Sequence, residues 1–207
     1  MKFILRSPLN LHAWSCLSHS YFDRDYLLSG IAFGVPLGYS GSRVSDFSQA
    51  NHSLPLDQFR ALKQKIHSER RMVGGLRKDQ IPFNFFRLSR KYVIPKKTGG
   101  FRDIHNLSGG SPSINEGIPD CEASVVFESF DRIVDSIILA GRGCWIWKRD
   151  LKDAYRHIMI RPQDWPLLGF KFAGMFFWDP FLIFGGRSCP KIFERFASAT
   201  EFFAKTF

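Results

Sequence analysis

The sequence predicts an α+β domain with helices packed on antiparallel sheet, and three observations carry that prediction. Apolar residues recur at helical spacing in three stretches: Phe59, Leu62 and Ile66; Phe130, Ile133, Val134, Ile137 and Ile138; and Ile192, Phe193, Phe196, Ala199 and Phe203. Between these stretches lie two pairs of extended runs, each joined by a short Gly-bearing turn, which is the pattern of hairpins. The order of helix, hairpin, helix, strand, hairpin, helix then places helices against antiparallel strands. With 207 residues, the chain can bury one good core, or one compact domain and a small subdomain.

Each element has a local reason. Residues 1–50 mix aromatic, Ser and Gly positions with little period and read as a short helix and a loop. A helix is expected from Leu54, where Pro55 and Asp57 suit the first turn, and Gly74-Gly75 should end it. Arg60, Lys63, Lys65, Arg70, Arg71, Arg77 and Lys78 on its other face and end either follow a phosphate backbone or form a solvated face. Residues 88–95 and 100–106 read as strands joined by Lys96-Lys97-Thr98-Gly99, a basic-tipped hairpin. Residues 128–140 read as a core helix stopped by Gly141. Residues 144–151 then read as a strand, 152–155 as a compact turn and 156–160 as a second strand. A further hairpin, 167–172 with 176–184, turns at Ala173-Gly174, and Pro190 opens the last helix.

Composition narrows the function. The balance of 29 basic against 19 acidic residues gives +10, which favours a polyanionic partner, nucleic acid first. Cys16, Cys121, Cys144 and Cys189 show no metal-binding spacing and read as reduced, structural thiols. The opening Met-Lys-Phe-Ile-Leu-Arg is too short an apolar run for a signal peptide, so an intracellular protein is expected, in nucleus or cytoplasm. Lys171, Asp179 and Pro180 interrupt the apolar run 167–186, which argues against a membrane span. Gly185-Gly186-Arg187-Ser188 lacks the Gly spacing and Lys of a dinucleotide or P-loop fingerprint.

The strongest candidate for chemistry is Asp150, a carboxylate ending an apolar run, with Asp153 three residues on. Mg²⁺ accepts one or two carboxylates and completes its octahedron with water and substrate phosphate, which suits such a site. The local sequence by itself rather favours an Asp that caps the turn through its own backbone, and Asp153 is the better turn-former of the two.

Four ordered segments resemble reverse transcriptases. Lys148 to Ile158, with Asp150 followed five residues later by Tyr155, resembles the first palm motif of that family. Ahead of it, Pro95-Lys96-Lys97-Thr98-Gly99-Gly100-Phe101-Arg102-Asp103-Ile104-His105-Asn106-Leu107-Ser108 resembles the fingers hairpin, and Ser113-Ile114-Asn115-Glu116-Gly117-Ile118 the short element after it. Behind it, Leu168-Gly169-Phe170-Lys171-Phe172 and Leu182 to Phe193 resemble the hairpin and Gly-turn-helix of the template platform. The resemblance covers roughly residues 87–207, and its flavour is that of DIRS-type retroelements, which pair the polymerase with a tyrosine recombinase.

The resemblance implies an RNA-directed DNA polymerase with right-hand fingers and a partial palm: an N-terminal extension over 1–86, fingers over 87–141 and palm over 142–207. Asp150, with the Leu151 carbonyl, would hold Mg²⁺ or Mn²⁺. Lys96, Lys97 and Arg102 would hold the triphosphate, Arg102 with a planar fork. Leu151, Asp153 and Ala154 would line the nucleotide, Tyr155 would sit under the sugar as a gate against a 2′-hydroxyl, and Phe184 and Gly185 would line the nucleotide and template pocket. Bland readings stand beside these: Arg102 as a strand-surface charge, and Tyr155 and Phe184 as core aromatics. The implied partners are a primed RNA or DNA template, deoxynucleoside triphosphates, and further palm, thumb and RNase H regions; no membrane is implied.

Two departures are visible. Ile183 stands where the family usually has Pro, and Gly186 where it has a larger apolar residue. The paired carboxylates of the family do not occur in the sequence after the Gly-turn-helix, so this stretch is expected to lack turnover as a truncated module. An edge strand at 144–151 and an uncovered face at Phe196, Phe202 and Phe203 are expected with it. The alternative is a non-catalytic nucleic-acid-binding fragment or a degenerate retroelement relic.

Overall fold

The computed structural model describes residues 5–49, 51, 54–68, 72–97, 99–146, 148 and 150–206. Two short helices open the chain, α1 (Leu11–Leu17) and α2 (Arg24–Phe33), where one was expected. The Asn10 side chain accepts from the Ala13 N–H at 3.0 Å, so α1 starts on a side-chain cap that a weak apolar period hides. Helix α3 (Leu56–Ser68) carries Leu62 and Ile66 on its buried face.

Gly74-Gly75 does not end α3, which closes earlier; the pair lies inside strand β1 (Val73–Leu76). There Gly74 adopts φ 135°, and a Cβ would meet the Phe176 carbonyl and Phe177, so the glycines serve the close approach of β1 to its neighbour across a register shift. Arg77 and Lys78 accordingly leave the helix for a loop and a 3₁₀ turn, and Arg70 and Arg71 lie outside the described residues.

Strands β2 (Arg90–Pro95) and β3 (Phe101–Asn106) form the basic-tipped hairpin in antiparallel register, from Arg90 opposite Asn106 to Pro95 opposite Phe101. The second hairpin, β4 (Gly169–Phe172) with β5 (Met175–Trp178), turns at Ala173-Gly174 as the sequence indicates, and β5 stops well short of Phe184. β1 adds to its far side, giving the order β1-β5-β4. A parallel bridge between Leu88 and Gly169 joins the two sheets. The last helix, α6 (Cys189–Thr206), has Pro190 in its first turn.

Two cores result. The larger gathers Leu27, Ile31, Leu37, Leu107, Ile160, Leu168, Trp178, Leu182 and Phe196; the smaller packs Leu62 and Ile66 of α3 against Val93 of the basic hairpin and Phe170 of β4. Phe196, Phe202 and Phe203 are not left uncovered: Trp14 of α1 meets Phe196 and Phe203 edge-on at 5.7 and 5.3 Å, and Tyr21 lies 5.2 Å from Phe202. The irregular N-terminal stretch supplies the partners that pattern reasoning could not assign.

Three expectations are corrected between residues 120 and 160. After a single helical turn, α4 (Asp120–Ala123), helix α5 (Phe130–Ala140) forms, capped by Ser129 and by Gly141 at φ 80°, yet its apolar stripe faces solvent: Phe130, Ile133, Ile137 and Ile138 are exposed. The described residues of 144–151 form no strand, with Trp145 97 % and Ile146 70 % exposed; Trp147 and Arg149 lie outside the described residues. A strand needs a neighbour for its N–H and C=O groups, and none of the described residues offers one here. Residues 154–157 form a 3₁₀ turn in place of a strand, and the extended pairing begins only at Met159 and Ile160, which bridge to Phe181 and Val35.

Candidate nucleotide and nucleic-acid site

A pocket of about 440 Å³ opens between the basic hairpin, the turn at Asp150 to Ala154, and Phe184. It brings together Lys96, Arg102, Asp150, Leu151, Asp153, Ala154 and Phe184, residues up to 88 positions apart from Lys96 to Phe184. Lys97 stays exposed at the hairpin tip, Tyr155 touches the pocket only through its stacking on Phe184, and Gly185 is exposed just after Phe184; none of the three lines the pocket.

The hairpin presents its cations by alternation. Along β3, Arg102 points out and Asp103 in, and strand side chains alternate faces with period 2. The Arg102 guanidinium lies 5.5 Å from the Phe184 ring centroid, and the Tyr155 ring stacks with the Phe184 ring at 4.8 Å. Tyr155 also leans on Phe193 of α6 at 5.3 Å. Burial raises the Tyr155 phenol pKa above its ordinary value, so it stays a neutral hydroxyl. Arg102 and Tyr155 therefore both contact the Phe184 ring, which brings a cation and two aromatic rings together beside the pocket.

The Phe184-Gly185 turn is held by its backbone. The His105 N–H donates to the Phe184 carbonyl at 3.0 Å. Asn115 donates through Nδ2 to the Gly185 carbonyl at 2.8 Å and accepts from the Arg187 N–H at 2.9 Å. Gly185 sits at φ 116°, and a Cβ there would overlap the His105 carbonyl, so glycine is what allows the turn to dock on the end of β3.

The Asp150 loop is shaped by Asp153, which takes the left-handed conformation, φ 54°, at the start of the 3₁₀ turn. Its carbonyl accepts from the Arg156 N–H at 2.7 Å, and His157 Nε2 bonds the Lys152 carbonyl at 3.0 Å. Asp is among the few residues that tolerate this conformation. Asp150 itself is exposed on the pocket wall.

Behind these residues lies charge that motif reading did not assign. Lys91, Arg156, Asp103, His105 and Lys65 also line the pocket. Lys91 Nζ is 3.1 Å from Asp103 Oδ2 and 3.5 Å from Asp179 Oδ2. Arg156 Nη1 meets Asp179 Oδ1 at 2.5 Å, and Lys65 pairs with Asp103. Burial disfavours the charged form of Asp103, but the Lys91 and Lys65 ammoniums outweigh it and hold its carboxyl well below the usual carboxylate range. His105 Nε2 must carry its proton, because it bonds the Gly169 carbonyl at 3.2 Å. Burial, then the Lys91 charge, drives the His105 pKa down to about 3, so the imidazole is neutral. One signal was available for Lys91: it shares the inward face of β2 with Val93, where an unpaired charge is not tolerated.

A divalent cation is implied only by resemblance, so the donors must be weighed directly. Asp150 and the neighbouring Leu151 backbone offer one carboxylate and carbonyl oxygen beside several cations. Among the described residues no group of three or more His, Cys, Asp or Glu is placed to hold a metal. The donor set suits an ion such as Mg²⁺ that arrives with water and phosphate ligands of its own. Among the described residues no helix is long and apolar enough to cross a membrane.

Comparison with solved structures places this architecture. The chain superposes on a prototype foamy virus protease–reverse transcriptase mutant with TM-score 0.52 and 13% identity, covering 92% of this chain and 26% of that one. It matches a foamy viral protease–reverse transcriptase bound to double-stranded DNA with TM-score 0.52 and 12% identity, over 93% of this chain and 35% of that one. No known protein-family profile matches the chain, and no curated protein does. The fold is therefore reverse-transcriptase-like, α+β with fingers and palm, and the chain spans about a third or less of the proteins that share it.

Proposed function

We propose that this chain is a reverse-transcriptase-type fingers and partial palm module that binds a deoxynucleoside triphosphate against a nucleic-acid template. The observation that carries the reading is the convergence of Arg102, the Asp150–Ala154 turn and Phe184 on one pocket whose cations outnumber its carboxylates. The foamy viral protein of the same fold is bound to duplex DNA, which supports a nucleic-acid partner here.

Arg102 forks the phosphates bidentately, with Lys96 and Lys97 adding charge from the hairpin. Phe184 presents the surface on which the nucleoside lies, and the Tyr155 ring, stacked on Phe184, fills the space a 2′-hydroxyl would need. Asp150 and the Leu151 carbonyl would hold Mg²⁺ or Mn²⁺, which would supply positive charge against the triphosphate. Asp153 and Ala154 keep the loop in the shape that aims Asp150. Of the pocket carboxylates Asp103 is already paired with Lys65 and Lys91, and Asp150 as the one metal-holding carboxylate is too few for a two-metal nucleotidyl transfer, so we assign turnover to assemblies in which a further polypeptide segment adds carboxylates. The DIRS-type motif flavour of the sequence supports reading the module as part of a retrotransposon polymerase.

Titration of Mg²⁺–dATP into the 207-residue chain tests this. Micromolar to millimolar binding that Arg102→Ala weakens about tenfold or more, and that Asp150→Asn strips of its metal dependence, is expected. The cation excess also suits a second reading, a non-catalytic nucleic-acid-binding fragment. Salt-dependent binding of DNA with no uptake of Mg²⁺–dATP would favour that reading and overturn the first.

A further inference from the structure

The pocket floor is a chain of alternating charge that crosses between its two halves. Starting at α3, Lys65 pairs with Asp103 of β3; Lys91 of β2 lies between Asp103 and Asp179; and Asp179, just beyond β5, grips Arg156 of the 3₁₀ turn. The centre of this chain is dry, with the Lys91 side chain 1 % and Asp179 0 % exposed. Lys91 Nζ is also 4.6 Å from the Phe170 ring, and the Arg156 guanidinium 5.6 Å from the Phe181 ring. Asp179 is itself fixed, accepting from the Phe181 N–H at 3.3 Å while its own N–H donates to the Leu168 carbonyl at 3.1 Å.

The two arms of this chain end next to the two walls of the pocket. Asp103 is the strand neighbour of Arg102, and it lies opposite Val93 with Lys91 on the adjacent diagonal. Arg156 follows Tyr155 in the turn that continues from Asp150. A buried carboxylate that holds a cation from each wall removes freedom from both, because losing its charge would leave two buried cations facing each other. Networks of this kind act as units in a low-dielectric interior.

We infer that Asp179 is a positioning residue which couples the Arg102 wall to the Asp150–Tyr155 wall through Lys91 and Arg156. The inference rests on the reading of this pocket as a nucleotide site, although the coupling is a property of the free protein. Asp179 touches no substrate; it sets the distance between the group that holds phosphate and the groups that hold metal and sugar. Placement errors of this sort are costly to binding and to reaction alike.

Hydrogen exchange on the nucleotide-free 207-residue chain tests the coupling. In Asp179→Asn, amides of both 90–106 and 150–157 should exchange about tenfold faster, while those of the β4–β5 turn keep their rates. Asp164 is an equally buried carboxylate, bonded to the Leu37 N–H, Arg43 and Arg161 away from the pocket, and Asp164→Asn should not loosen those two segments together. Loosening of one wall alone, of neither, or of both in the Asp164→Asn control overturns the inference. Should Asp179→Asn fail to fold, Lys91→Met reads one arm: the hairpin should loosen and the turn keep its protection, and equal loosening of both or of neither counts against the idea.

Mg²⁺–dATP titration is the second readout. Asp179→Asn should weaken binding about 10- to 100-fold, in line with supporting residues around other sites. Asp179→Asn combined with Arg156→Gln should weaken it by less than the product of the two single losses, since the Asp179–Arg156 pair is a shared link; losses that multiply would show independent roles and overturn the inference. A wild-type chain that takes up no Mg²⁺–dATP would sink the nucleotide reading instead, and the exchange pattern alone would then decide the coupling.

Discussion

Helices α5 and α6 look alike in sequence and fare differently in the fold. Both carry an apolar stripe at helical spacing. α6 buries Ile192, Phe196 and Ala199 against the core and against Trp14 and Tyr26 of the N-terminal helices. α5 forms with its own caps and buries no residue; Phe130 is 76 % and Ile138 69 % exposed. The exposed apolar surface continues through Val126 and Phe127 before α5 and Trp145 and Ile146 after it. Amphipathicity thus reports that a face is made for a partner, and says nothing of whether these 207 residues contain that partner. The pocket between the basic hairpin and the Asp150 turn lies at the boundary between the two regions, since Asp150 follows the exposed segment and Phe184 leads into α6.

The sharpest way to break the comparison uses two tryptophans, Trp178 at 0 % and Trp145 at 97 % exposure. Trp178→Ala should cost about 3–5 kcal/mol by urea denaturation, and Trp145→Ala should stay within about 0.5 kcal/mol. A cost above about 2 kcal/mol at Trp145 would mean that the exposed segment is packed after all.

Acid should act on the packed region through His105. In the unfolded chain this imidazole takes up a proton near pH 6.5. In the fold it remains neutral down to about pH 3. Between those values the unfolded state holds the extra proton, so stability falls as pH is lowered through that window, by roughly 3–5 kcal/mol at its lower end. Asp103 adds its own loss only at lower pH, because its depressed carboxyl stabilises the fold above the unfolded carboxylate value near 3.9 and fails as pH drops below it. In His105→Gln the slope between pH 6.5 and 4.5 should vanish; an unchanged slope would assign it elsewhere.

The smallest effect is expected on the exposed helix. Its uncovered stripe should make the chain self-associate, with Ile138→Lys plus Leu139→Lys weakening association about tenfold while changing unfolding by less than about 0.5 kcal/mol. Sedimentation velocity across a concentration series reads this directly. A strictly monomeric wild type at high concentration would show that the stripe is covered in solution.

Much of the local architecture follows from the sequence alone. The basic hairpin, the Ala173-Gly174 turn and the Pro190 start of α6 come from turn chemistry and period, which depend on residues close in sequence. The caps of α5 are equally local. The site's motif residues were legible too, because Lys96, Arg102, Asp150 and Phe184 occur in recognisable short segments.

What only the tertiary structure decided is which surfaces meet. Burial of α6 but not α5 depends on whether Trp14, Tyr21 and Tyr26 can reach it from far along the chain. A strand at 144–151 fails for the same kind of reason, since backbone groups need a neighbour that local pattern does not supply. Asn115 reaching the Gly185 turn, and Lys91, Asp179 and Arg156 meeting under the pocket, are long-range pairings between residues that no short motif joins. Their charges are readable one by one in the sequence, but a buried ion network exists only once the fold has excluded water from all its members at once.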